Sequence, residues 1–149
     1  MPVTMEQVIN QLDREEPLYG QAAQLGAEAL PHLITLIQGE DLGLAAKAAS
    51  LAGLINASQS ADVLEIAARH PESVVRVAAA ASAKNLASVP TTLAMELLND
   101  SDAGVRKWTL KTLEVHHPSG IRPKVEEIMK SDPDMGLRDY AKQIINQLP

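Results

Sequence analysis

The chain of 149 residues has no cysteine and no phenylalanine, and its aromatics are only Trp108, Tyr19 and Tyr140. Without cysteine there are no disulfides, no thiol nucleophile and no thiolate-held zinc or iron–sulfur centre. Without large rings the core must be assembled from Ala, Leu, Ile and Val. A total of 22 alanines favours closely packed helices over sheets. No apolar run approaches the ~18 residues that a membrane span needs, so no membrane partner is expected. The opening Met1-Pro2-Val3-Thr4-Met5-Glu6 lacks the basic stretch and apolar run of a signal peptide, and a cytoplasmic location is expected. Positive charge is scarce as well. Thirteen basic against 19 acidic residues give a net charge of −6, which opposes bulk attraction to nucleic acid.

What is present is a repeat. Asp102-Ala-Gly-Val105-Arg106 matches Glu72-Ser-Val-Val75-Arg76 and Asp134-Met-Gly-Leu137-Arg138: an acid, two spacers, an aliphatic residue and an arginine. One step upstream, Glu40-Asp41-Leu42-Gly43-Leu44 keeps the acid but has neither Val nor Arg. Apolar residues follow each start at helical spacing, as in Val75, Ala78, Ala79, Ala83 and Leu86. The acid is placed to cap the helix or complement its dipole. These segments predict second helices at 43–56, 73–87, 103–116 and 135–148. First helices are expected at 27–38, 60–69, 90–99 and 120–131, several opened by proline, which loses no hydrogen bond in a first turn. Thr4 to Gln7 matches a capping box and opens an additional pair over 4–13 and 18–25. The fold class is all-α, one domain over 1–149. Its five units are approximately 4–26, 27–56, 60–87, 90–116 and 120–148.

This grammar resembles the short bacterial-type HEAT-repeat family. The resemblance rests on acid-x-x-Val-Arg-x-Ala-Ala-Ala at Glu72 to Ala80 and on Ala-Leu-Pro-x-Leu at Ala29 to Leu33. It implies a right-handed α-solenoid of antiparallel helix pairs whose second helices line a concave, protein-binding face. Glycine and leucine at 43 and 44 depart from the pattern, as do Trp108 and Tyr140, which are aligned with Ala46 and Ala78.

Catalytic chemistry has no visible seat. His32, His70, His116 and His117 lack the spacing of a metal site. Glu15-Glu16 and Glu126-Glu127 are consecutive and point to different helix faces. No phosphate loop or nucleophile elbow occurs. No enzyme activity, metal, cofactor or small-molecule substrate is therefore expected.

Arg76, Arg106 and Arg138, in register with Glu72, Asp102 and Asp134, suggest either an anion-binding row or a stack of Arg–carboxylate pairs between repeats. The matched acids favour the structural stack. If its bonds are solvent-shared, Arg106→Ala is expected to cost about 1 kcal/mol. Trp108 fits core filling better than an interface anchor. Counting two, six and nine residues from each start places Ala45, Ala49, Ala52, Val77, Ala81, Lys84, Lys107, Lys111 and Glu114 on the partner-facing surface. That surface reads as apolar in one half and charged in the other. Residues 1–75 carry 3 basic and 10 acidic side chains, residues 76–149 carry 10 and 9. The expected function is a non-enzymatic scaffold or adaptor for a protein partner. An accessory subunit resembling bilin-lyase HEAT proteins is the alternative, with a nucleic-acid-binding HEAT protein behind it.

Overall fold

A computed structural model describes residues 2–149; Met1, part of the expected domain 1–149, lies outside them. The described residues form ten α-helices: α1 (Met5–Leu12), α2 (Tyr19–Ala23), α3 (Leu30–Ile37), α4 (Leu42–Ile55), α5 (Ser60–Ala68), α6 (Ser73–Ala83), α7 (Thr91–Leu98), α8 (Ala103–Val115), α9 (Arg122–Ser131) and α10 (Met135–Ile144). Short 3-10 turns cover Ala27–Ala29 and Ile145–Gln147, and there is no strand among the described residues. No described helix is long and apolar enough to cross a membrane.

The helix starts follow from local chemistry. Thr4 Oγ1 accepts from the Gln7 backbone N–H at 3.2 Å while Gln7 Oε1 accepts from Thr4 N–H at 2.9 Å, closing the capping box. Asp41, Asp102 and Asp134 cap α4, α8 and α10 through their carboxylates. Pro31 and Pro123 sit in the opening turns of α3 and α9. Asn56 ends α4 in the left-handed region at φ 50°, where Asn is among the few side chains tolerated. Helix α6 stops at Ala83, four residues short of the expected end.

Each helix packs on its pair-mate, and every second helix from α4 onward also packs on its counterpart in the next pair: α4 on α6, α6 on α8, α8 on α10. The first helices α3, α5 and α7 pack in the same sequence. Small residues set the α4–α6 contact. A Cβ at Gly53 would lie 2.1 Å from Ser82 Oγ and 2.5 Å from the Ser82 carbonyl oxygen, so only glycine permits this approach. Ser82 Oγ then donates to the Ser50 carbonyl at 3.1 Å. One pair further on, Thr112 Oγ1 donates to the Ala80 carbonyl at 3.3 Å. The larger fully buried side chains, among them Leu33, Leu51, Leu64, Leu93, Leu110 and Leu113, fill the space between first and second helices, each contributing about 1.5–3 kcal/mol by burial.

Candidate partner surface and the arginine ladder

The caps fix a common register for the second helices. Asp41, Glu72, Asp102 and Asp134 are the N-cap residues of α4, α6, α8 and α10. The first of these acids is thus Asp41, whose Oδ1 accepts from Leu44 N–H at 3.1 Å, and not Glu40. That one-residue step turns α4 by about 100°, since a helix holds about 3.6 residues per turn. Ala45, Ala49 and Ala52 accordingly face inward, each at 0% exposure, and are corrected from surface to core. The positions equivalent to Val77 and Ala81 are Ala46 and Ser50, both half-buried. By the same step Trp108, Tyr140 and Ala78 align with Lys47 and not with Ala46.

The arginines form a ladder between repeats, with different acids from those expected. Arg76 Nε donates to Asp100 at 2.8 Å and its second nitrogen to the other carboxylate oxygen at 3.3 Å. Arg106 grips Asp132 in the same two-pronged way at 2.8 and 3.0 Å. Asp102 and Asp134 are occupied in capping their own helices, and the Glu72 side chain caps nothing. The true partners lie two residues before each cap. There Asp100 also accepts from Asp102 N–H and Asp132 from Asp134 N–H, at 2.8 and 2.9 Å. His70 takes the equivalent place, its Nδ1 accepting from Glu72 N–H at 2.9 Å. Each arginine further donates to the carbonyl six residues back, at His70, Asp100 and Asp132. Arg138 makes only that bond, with no carboxylate partner among the described residues. The Asp-x-Asp spacing at 100–102 and 132–134 was the signal for these acids.

The side of α6 and α8 turned to solvent carries Val74 (53% exposed), with Val77, Ala78 and Ala81 half-buried beside it. Trp108 is half-buried and packed at the edge of the core, so it fills space and also presents a ring face. Lys111 Nζ stands 4.3 Å and Lys84 Nζ 5.9 Å from its ring centroid, a geometry in which the ring quadrupole attracts the cation. Lys107 and Glu114 are exposed on the same helix. Next to them Tyr140 is held well above the ordinary phenol range, first by burial and then by the Glu114 carboxylate, which accepts a hydrogen bond from the phenol and whose charge opposes its ionisation. Of the residues expected on this surface, Lys84 and Lys111 meet at Trp108, Lys107 and Glu114 are exposed on α8, and Val77 and Ala81 are half-buried on α6. Sequence reasoning missed Val74, and for Trp108 it favoured core filling over an interface anchor.

Two histidines are explained by backbone contacts. His32 Nε2 lies 2.7 Å from the Val3 carbonyl and His116 Nε2 2.9 Å from the Lys84 carbonyl. Among the described residues no group of three or more His, Asp or Glu side chains is placed to hold a metal ion. No protein-family model and no curated protein matches the chain.

Proposed function

We propose that this protein is a non-enzymatic protein-binding module. In this reading the five helix pairs form a right-handed HEAT-like solenoid, and the solvent side of α6, α8 and α10 is its concave face. The observation that carries the proposal is the continuity of Val74, Val77 and Ala81 with Trp108 under two lysines. Interface hot spots favour such an arrangement: a large amphipathic ring beside an apolar strip, rimmed by charge. The γ-methyl of Val77 lies 3.7 Å from where a Cβ on Gly104 would stand, so the strip on α6 abuts α8 closely at this point. Stacked repeats suit this task, because each contacts only its neighbours and the exposed sides add into one extended surface.

The test is comparative affinity capture from the native host followed by mass spectrometry. Ala81→Glu places a charge on the half-buried strip while keeping a good helix former. A partner retained by the parent chain should be lost by Ala81→Glu and by Trp108→Ala, with circular dichroism showing both variants folded. Lys107→Glu should chiefly change association rate and salt dependence, because exposed charges steer more than they anchor. Full-strength capture by folded Ala81→Glu and Trp108→Ala would rule this surface out.

A further inference from the structure

The ladder has one empty slot. Between the second and third helix pairs, the position of Arg76 and Arg106 is taken by Ala45, and that of Asp100 and Asp132 by His70. Ala45 itself is fully buried. Beside it, at the His70 end of the slot, lies a cleft of about 510 Å³ lined by Ile37, Gly39, Glu40, Ile66, His70 and Glu72 among others. Its counterpart around Arg106 and Asp132 measures about 200 Å³ and is bounded by equivalent residues, with Ile128, Asp132 and Pro133 where Ile66, His70 and Pro71 stand in the larger cleft.

The recognition chemistry of the missing rung is retained. In the filled slots one guanidinium nitrogen bonds the carbonyl at the head of the turn, Asp100 in the case of Arg106. The equivalent carbonyl here is that of Gly39, which accepts no backbone or side-chain hydrogen bond among the described residues. Negative charge is retained too, moved from the lost aspartate to Glu40 and Glu72, neither in an ion pair among the described residues. Arg69, the cation on the rim, is bound to Glu96 at 2.8 Å. Ile37, Leu42, Ile66 and Pro71 supply apolar wall for an alkyl stem.

We propose that this cleft receives an arginine side chain from a protein partner, completing in trans the ladder that the chain builds in cis at Arg76 and Arg106. Guanidinium is the fitting group because its planar fork meets a carbonyl and a carboxylate at once, which a lysine ammonium does not reproduce. The site shares no residue with the α6–α8 surface, so either can fail alone.

Titration of the full chain with N-acetyl-glycyl-arginyl-glycine amide, followed by amide NMR shifts, tests the idea. Saturable shifts are expected at Gly39, Glu40, His70 and Glu72, with at least about tenfold weaker binding of the lysyl peptide. Ala45→Arg fills the slot from within and should weaken the arginyl peptide at least about tenfold. Should Ala45→Arg fail to fold, the exposed pair Glu40→Gln and Glu72→Gln carries the same expectation. Absence of saturable shifts, equal binding of the lysyl peptide, or undiminished binding by whichever folded variant is measured overturns the proposal. Binding of free arginine without the peptide overturns the partner as its source.

Discussion

Helices α4 and α6 meet through Gly53, Ser82 and a bed of alanines, whereas α8 and α10 meet around the Arg106–Asp132 pair, with Trp108 and Tyr140 at the edge of the core. Of the 22 alanines only Ala103 and Ala141 lie beyond residue 100. The first contact gains its stability from proximity, which maximises dispersion and leaves no room for an added atom. The second is held by directional charge-assisted bonds, which fix the relative position of repeats but leave a costly orphan if one partner is removed. One repeat grammar has thus been executed twice, in steric and in electrostatic form.

The sharpest way to break this comparison is to put the same charge at adjacent positions of α4. Ala49 is fully buried and Ser50 half-buried. Ala49→Glu buries an unpaired carboxylate and should cost about 3–5 kcal/mol, enough to unfold much of the population. Ser50→Glu keeps the bond from Ser82, which goes to the Ser50 backbone carbonyl, and gives up only the hydroxyl's bond with the Tyr19 phenol, so it should cost about 1 kcal/mol. Denaturant unfolding of both variants decides it. Equal losses would mean that the register set by Asp41 is wrong.

The ladder should grade in a similar way. Arg106 and Asp132 are 10% and 3% exposed at their side chains, against 15% and 8% for Arg76 and Asp100. Arg106→Ala strands a buried carboxylate and should cost about 3 kcal/mol, well above the 1 kcal/mol expected of a solvent-shared pair. Arg76→Ala should fall below it. Arg138→Ala loses one bond to a carbonyl and should cost about 1 kcal/mol. Chemical denaturation midpoints should therefore fall in the order Arg138→Ala, Arg76→Ala, Arg106→Ala. Three equal shifts would show that burial does not govern the rungs.

The helices were legible in the sequence because capping residues, proline positions and three- to four-residue spacing act locally. Which side of each second helix turns inward was legible only where the repeat was regular. From Glu72 onward the cap and the aliphatic residue keep a fixed spacing, and at the positions that spacing points to Lys107 is exposed while Val77, Ala81 and Lys111 are half-buried. In α4 two consecutive acids, Glu40 and Asp41, offered two registers. Only the hydrogen bond to Leu44 distinguishes them. The ladder acids were hidden for a different reason: an arginine and its carboxylate are 24 or 26 residues apart, and only packing of successive pairs joins them.

The two tyrosines extend the comparison to pH, one in each half. Burial raises both phenols above their ordinary value near 10. For Tyr19 a hydrogen bond with Ser50 partly reverses the effect, whereas for Tyr140 the Glu114 carboxylate adds to it. Tyr140 should therefore ionise last. A phenol whose pKa is higher folded than unfolded binds its proton more tightly in the native state. Its contribution to stability is intact below about pH 10 and is lost as pH rises towards the folded value. Alkaline titration followed by phenolate absorbance should show a first step from Tyr19 and a later one from Tyr140. In Glu114→Gln the later step should move towards the first, because the negative charge opposing ionisation is gone. An unchanged Tyr140 step in Glu114→Gln would leave burial as the sole cause, and Tyr140 ionising before Tyr19 would contradict the packing of α10 against α8.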